Sequence, residues 1–526
     1  MKQLFIIVCL GFLIGSCEKP DTQSPQTPQE PGEGQPAFVT SLMNESFEEG
    51  KESWNIEGDA DAVAFSEQAA DGRFCLRLGK SGKGDVILSQ SLDNFQDGLY
   101  DLVFKFRKSA KGTGMCYVAA GSCSESMKMT SLYVSNDWTD GRVWGVTIKD
   151  GKCHVELRCE STDGGWCMLD GLSFAKTGDD FTLLKGGDIS ELTLVEREGG
   201  KYLWEGQEMD CVELLKKGGF NIVRLRLYND PGNPDFTPSK ELPAGVQDEK
   251  AILDLARRAK DQGMQIELTF HYSDYWTNGG IQTIPHEWNG LDYEGLKAAV
   301  FDYTRDFLDK MDAQGTSPEY VSLGNETQAG LLYPYGYCDN VEQMCGLYNA
   351  AAEAVRESAP DARIIIHSDG AGDLSKYKWL FGELKTVDYD IIGGSYYPYW
   401  TEKSMSDIIS WARSVTRTFN KPIILMECGY AWHPTLPEGS KGQIQHNGPY
   451  NDMTRLGQKN FMLEVFGMIK ANPDANILGV LYWDPIFIEA GDAGWAVGGD
   501  NVVSNTTLFD FQGNALEVFD AFRYND

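Results

Sequence analysis

The chain has 526 residues, and 46 Lys+Arg against 78 Asp+Glu leave a formal charge of −32. That length exceeds one compact domain of roughly 100–200 residues, so two or three are expected. The acidity excludes nucleic-acid binding, which needs clustered cations to meet phosphates, whereas 13 Trp and 23 Tyr suit a neutral polymer that offers hydroxyls and apolar faces.

In chain order, Met1-Lys2-Gln3 leads into an apolar run from Leu4 to Ile14. One cation and about a dozen apolar residues make a secretory signal, too short for a membrane-spanning helix. The run ends Leu13-Ile14-Gly15-Ser16-Cys17, which resembles a bacterial lipobox. Residues 1–17 are thus expected to be a lipoprotein signal, with Cys17 lipidated and the protein exported to the outer membrane or cell surface. Residues 18–37 are Pro, Gln, Thr, Glu and Gly with almost nothing apolar, a flexible linker. The expected form is a monomer on a membrane tether.

From 38 to 178 the pattern is short alternating runs separated by Gly, Asp and Ser, such as Phe74 to Leu78, Tyr100 to Phe106 and Cys153 to Leu157. Period-two alternation with frequent turns predicts an antiparallel β-sandwich. Asn44 to Glu48 and Met168 to Phe174 resemble the jelly-roll modules of secreted carbohydrate-active enzymes, which implies a carbohydrate-binding role. Trp54, Trp138, Trp144 and Trp166 are candidates for a sugar platform or for its core. Six cysteines (Cys75, Cys116, Cys123, Cys153, Cys159, Cys167) fall here and four (Cys211, Cys338, Cys345, Cys428) beyond. No Cys-x-x-Cys pair supports a zinc ribbon; export would permit disulfides, whose pairing stays open.

From 181 to 526 apolar strands alternate with amphipathic helices, which implies parallel strands joined by helical crossovers. Strands are predicted at Thr182 to Lys185, Asn221 to Tyr228, Gln265 to Phe270, Tyr320 to Gly324, Arg363 to His367, Tyr389 to Gly393, Pro422 to Met426 and Ile477 to Tyr482. Helices are predicted near Asp248 to Gln262 and Tyr293 to Ala313. Eight β/α units suit a TIM (β/α)8 barrel; a doubly wound sheet would lack its Gly-rich phosphate fingerprint.

In such a barrel the reactive groups project from the C-terminal ends of the strands. There stand Arg224 and Arg226, His271 and Asp274, Asn325-Glu326, His367, Tyr397, Glu427 and Trp483. A carboxylate directly after a buried strand is desolvated at a cost rarely carried without a purpose, which singles out Glu326 and Glu427. Glycoside hydrolysis needs one protonated carboxyl for the leaving oxygen and one ionised carboxylate for the anomeric carbon. Strands four and seven face each other across the mouth, so the two glutamates could close on one bond. Asn325 would bond the sugar 2-hydroxyl, and Arg226 or Arg224, with Tyr397, would orient Glu427. Singly, a strand-end glutamate could be half of an ion pair, and His271 or His367 a core histidine. Asp274, His271 and Glu326 match no hydrolase metal motif.

The order of these residues resembles the retaining (β/α)8 glycosidases with glutamates after strands four and seven. More narrowly, the chain from Leu184 resembles glycoside hydrolase family 53, the arabinogalactan endo-β-1,4-galactanases. The carriers are Lys185 to Ser190, which includes Asp188, Gly219 to Arg226, Phe270 to Trp276, Gly324 to Pro334, Gly394 to Trp400 and Glu427 to Trp432. The resemblance implies Glu326 as acid/base and Glu427 as nucleophile on β-1,4-galactan, the side chains of pectin, with Trp276, Trp400, Trp432 and Trp495 stacking on galactose rings. It implies no cofactor for the chemistry, and it implies a structural calcium near the loop from His433 to Asn451, with oxygens from Asn451 and Asp452. Cys428, beside the nucleophile, departs from the small hydroxyl residue expected there. Rival readings are a mannanase or β-1,4-glucanase, or a surface glycan-binding lipoprotein without catalysis.

Overall fold

Alternation sets the first part of the molecule. In Lys152–Ser161 the residues Cys153, Val155, Leu157 and Cys159 are buried while their neighbours reach solvent, the period of a pleated strand with one face on a core. The computed structural model describes residues 39–178, 181–234 and 241–525; the expected leader, Cys17 and the linker through residue 37 lie outside the described residues. Two antiparallel five-stranded sheets face each other. One runs Asn55–Gly58, Gly84–Asp93, Lys152–Ser161, Thr113–Gly121, Lys128–Ser131, and the other Val63–Ser66, Cys75–Leu78, Cys167–Lys176, Gly98–Lys108, Ser135–Ile148. Leu76, Val86, Leu102, Val118, Leu157 and Leu169 fill the space between them.

The four sandwich tryptophans divide. Trp54 is buried against Phe47 and Trp144 against Phe181, so both belong to packing. Trp138 and Trp166 are half-buried and flank the Arg107 guanidinium, which lies 6.0 and 5.7 Å from their rings.

Eight parallel strands then close a barrel: Leu184–Asp188, Ile222–Leu227, Gln265–Phe270, Tyr320–Leu323, Arg363–Ser368, Ile391–Tyr396, Ile423–Cys428 and Ile477–Tyr482. Two differ from their predicted spans for one reason. The first strand extends past its predicted end through Gly186 and Gly187, and the sixth past Gly393 through Gly394. A Cβ on Gly186 would meet the Ile222 carbonyl at 1.9 Å, and one on Gly393 would meet Met426 at 2.8 Å. These glycines allow close approach inside strands and do not mark turns. Asp248 caps the helix Glu249–Asp261 and Asp292 caps Tyr293–Ala313, as side-chain acceptors do for exposed first-turn amides.

The barrel floor is apolar: Leu184, Ile222, Tyr320, Ile365, Ile424 and Leu481 form one buried cluster. Polar side chains take over one layer higher, beginning with Arg224, Glu267, Thr269 and Ser322, all fully buried.

The sandwich packs on the barrel helix Arg455–Ala471. Buried Lys470 donates to the Met129 carbonyl and to Thr130 Oγ1, each at 2.9 Å, and Ser131 N donates to the Tyr524 carbonyl at 2.9 Å. Gly467 lets the helix lie against the ring of Tyr133, which a Cβ would meet at 2.7 Å. Gly467→Val overpacks this contact and is expected to cost about 1–3 kcal/mol, read as a lower midpoint in thermal unfolding. An unchanged midpoint would mean that the two domains do not stabilise each other here.

Candidate active site

Glu326 and Glu427 reach the same point by different backbone devices. The pairing of the sixth and seventh strands skips Met426, passing from Gly394↔Leu425 to Ser395↔Glu427. A bulge of this kind re-aims a side chain, and it turns Glu427 onto the inward face that strict alternation would have denied it. Glu326 follows the end of the fourth strand with a φ of 47°, a left-handed conformation uncommon outside glycine and found where function requires it. An oxygen of each carboxylate and a ring nitrogen of His367 all lie within 4.8 Å of one another.

The environments of the two carboxyls differ. Glu427 is buried and accepts from Arg224 Nη1 at 2.8 Å on one oxygen and from the Tyr397 hydroxyl at 2.8 Å on the other. Among the described residues, half-buried Glu326 accepts only from Ser395 Oγ, at 2.7 Å. Burial, and then the charge of Glu427, push the Glu326 carboxyl up to about 8, against the opposing Ser395 bond. One group is thus an oriented acceptor and the other a proton carrier, the division that general acid catalysis beside a nucleophile requires.

Beneath them lies a polar layer. Arg224 also donates to Asn325 Oδ1 at 2.6 Å and to Thr269 Oγ1 at 3.2 Å. Asn325 in turn donates to the Thr277 carbonyl at 2.8 Å. His367 Nε2 bonds Ser395 Oγ at 2.9 Å. Burial first, and then Arg224, hold His367 well below the ordinary imidazole range, so it is neutral. With Ser395 donating to Glu326, His367 is the donor to Ser395 in this chain of bonds. His271 is likewise kept neutral by burial and the two arginines; its Nδ1 bonds Thr277 Oγ1 at 2.7 Å and its ring stacks on Tyr228 at 4.1 Å.

Arg226 does not reach Glu427. It donates to Asp188 at 2.8 Å, to Asp484 at 3.2 Å and to Glu191, and its guanidinium lies 4.6 Å from the Trp276 ring and 4.5 Å from that of Trp483. Of the two arginines expected to hold the nucleophile, Arg224 alone does so. Burial raises the carboxyls of Glu191 and Asp484; it raises that of Glu267, paired with Arg224 at 3.6 Å, to about 7.

The glutamates open into a cleft of roughly 1410 Å³. Asn325, Tyr397, Trp276, Trp400, Trp483 and Trp495 line it, as do Ser395, Gln328 and Asp369. Trp400 is 52% exposed and stands edge-on to Tyr397, a free apolar face at the rim. Asp188, Arg224, Arg226, His271 and His367 lie under the cleft and act through the residues that line it. Two expected contacts fall outside. Asp274 accepts from the amides of Asp230 and His286 and from Asn233 Nδ2, ordering its own loops. Trp432 is buried, packed on Phe511 at 4.6 Å with Arg455 over its ring. Each sits within five residues of a site residue, but its side chain leaves the backbone in another direction. Ser395 escaped notice, although its place two residues after Gly393 puts it on the inward face.

The loop expected to hold calcium is tied by protein groups. Buried Asn447 bridges Ala431 and the Asp452 carbonyl, and the Asp452 carboxylate accepts from Thr454 Oγ1 at 2.7 Å. Among the described residues, clusters of three acidic, His or Cys ligands occur elsewhere.

The family model of glycosyl hydrolase family 53 matches residues 184–522. An endo-beta-1,4-galactanase of Bacillus subtilis is 29% identical over 65% of this chain and 85% of its own length. An arabinogalactan endo-beta-1,4-galactanase of Cellvibrio japonicus is 29% identical over 67% of this chain and 94% of its own. Among solved structures, the GH53 catalytic domain of Ignisphaera aggregans is 32% identical with a TM-score of 0.61, over 66% of this chain and 97% of that one.

Two outcomes check the electrostatics. Between the ordinary value of 4.5 and about 8, the folded chain keeps the Glu326 proton that the unfolded chain has lost, so stability falls as pH rises through that window. Glu326→Gln cannot ionise; it is expected to unfold at a higher temperature than wild type at about pH 7.5 and at a similar one at about pH 4. Ser395→Ala removes a bond that lowers the Glu326 pKa, so the alkaline limb of its pH–rate profile should move to higher pH as kcat falls. A limb that stays in place would remove Ser395 from the acid's environment.

Proposed function

The chain belongs to glycosyl hydrolase family 53, and from that premise we propose that it cleaves β-1,4-galactosidic bonds within galactan and type I arabinogalactan by double displacement. The observation that carries this reading is the pair of carboxyl groups whose nearest oxygens lie within 4.8 Å. Retaining enzymes hold their two carboxyls about 5 Å apart, whereas inverting ones leave room for a water between them.

Protonated Glu326 gives its proton to the glycosidic oxygen while Glu427 attacks the anomeric carbon. The donors on Glu427, Arg224 Nη1 and the Tyr397 hydroxyl, fix the direction of attack and stay with the carboxylate as its charge passes into the new bond. Glu326, then ionised, draws a proton from the water that releases the glycosyl group. Asn325 has one amide hydrogen on the Thr277 carbonyl and a second for the sugar 2-hydroxyl, a bond that strengthens in the transition state. Trp276, Trp400, Trp483 and Trp495 offer faces to galactose rings. The two glutamates supply acid and nucleophile, so the chemistry calls for no cofactor.

The address is part of the proposal. The apolar run from Leu4 to Ile14 and the Gly15-Ser16-Cys17 junction support an exported, lipid-anchored protein at the outer membrane or cell surface. The half-buried pair Trp138 and Trp166 supports sugar capture by the sandwich. That role is tested by retention on galactan of a Glu427→Ala chain with and without Trp138→Ala and Trp166→Ala; equal retention would remove it.

For the catalytic reading, unbranched β-1,4-galactan should be cut to medium-length fragments first, with mannan and glucan left intact. Proton NMR of the first product should show the β anomer. Glu427→Ala should lower cleavage by at least about 10³-fold, in line with the loss of a catalytic nucleophile, while polymer binding persists. A first product in the α form would replace double displacement by inversion.

A further inference from the structure

The core of the sandwich holds a second cluster of chemically active side chains. The Sγ atoms of Cys116, Cys159 and Cys167 all lie within 4.8 Å of one another. Their exposures are 2%, 0% and 0%. Cys116 and Cys159 are direct partners across two antiparallel strands, and their sulfurs are 3.2 Å apart. Cys167 reaches the pair from the opposite sheet. Cys116, Cys159 and Cys167 have free thiols in the structure.

Directly opposed residues of antiparallel strands have Cα atoms about 4.5–5.5 Å apart, inside the 4.4–6.8 Å span that a disulfide bridges. The sulfurs already point at each other, so side-chain rotation suffices to bring them to bonding distance. We propose that Cys116 and Cys159 form a cross-strand disulfide that clamps the sandwich sheet where it meets the barrel, with Cys167 kept as the neighbouring thiol.

The position explains what such a bond would secure. Pairing between Thr113–Gly121 and Lys152–Ser161 is irregular between Thr113 and Cys116, so the ladder is weakest just before Cys116. The next strand outward, Lys128–Ser131, carries the contacts to Lys470 and Tyr524. Lys459 and Asp520 of the barrel border a water-sized gap together with Lys108 and Cys116. A covalent tie at Cys116 thus holds the strand against which the docking edge is paired.

The thiolate is the form that attacks, and both cysteines are open to an oxidant only before their strands are buried between the two sheets. A disulfide-donating oxidoreductase is the oxidant, acting before the sandwich closes. The Cys116 thiolate attacks one sulfur of the donor, forming a mixed disulfide and expelling the other donor sulfur as a thiolate. The Cys159 thiolate then attacks Cys116 Sγ and releases the donor as a dithiol, whose sulfurs take the two protons. The two cysteines are oxidised and the donor is reduced by the same two electrons.

The test uses the full chain, unfolded and refolded in a glutathione redox buffer, then alkylated without reductant and mapped by mass spectrometry. Cleavage at Glu156 and Glu160 separates Cys159 from Cys167, and a Cys123→Ser chain removes the ambiguity at Cys116. The expected map joins Cys116 to Cys159, two hydrogens lighter than the separate peptides, with Cys167 alkylated. Reductant should then lower the unfolding midpoint of the refolded chain by roughly 5 °C or more. Alkylation of both Cys116 and Cys159, a bond through Cys167, or a midpoint indifferent to reductant would each overturn the proposal.

Discussion

A guanidinium with no exposed surface lies under the cleft, and both sides of the site hang from it. Arg224 donates to the nucleophilic Glu427 with one nitrogen and to Asn325 with another. Asn325 precedes the acid Glu326, so a single buried cation sets where the nucleophile and the acid-bearing loop stand relative to each other. Planar, always charged and able to donate in several directions, arginine suits this task where lysine would not. Breaking a buried ion pair from one side leaves an uncompensated charge, at a cost of about 3–5 kcal/mol, so the arrangement is also a structural commitment.

That commitment spreads downward through the barrel. Arg224 and Arg226 share the inward face of the second strand because they are two residues apart; Asp188 pairs with both, but their other partners differ. Arg224 serves the carboxylate that reacts. Arg226 binds Asp188, Glu191 and Asp484 and supports the Trp276 and Trp483 faces above it. The apolar floor keeps water from this layer, which strengthens each of these interactions and supplies the burial that keeps Glu326 protonated near neutral pH. Catalysis therefore draws on the same desolvation that makes the acidic layer costly.

Much of this is legible in the sequence. The eight strands, the capped helices and the positions of Glu326 and Glu427 follow from alternation, capping residues and barrel logic. What is not legible has physical causes. Gly186 and Gly394 read as breaks because a turn and a tight packing contact ask for the same residue. The bulge at Met426 is invisible in the sequence pattern, and without it Glu427 would point outward. Alternation places Arg224 and Arg226 on one face but does not say which of them reaches across the barrel. Asp274 and Trp432 stand beside site residues in sequence, but nearness along the chain does not give the direction of a side chain. Ser395 is missed because a small hydroxyl carries no signal until its partners, His367 and Glu326, are known.

Two carboxyl groups in unlike environments, one braced by two donors and one bonded to a serine, make up the central claim. It is tested most directly by trapping the covalent intermediate with an activated galactobioside in which fluorine replaces the 2-hydroxyl of the reacting ring, followed by intact mass and peptide mapping. One glycosyl group per chain, carried on Glu427, is the predicted result. A label on Glu326 or on any other residue would contradict the account.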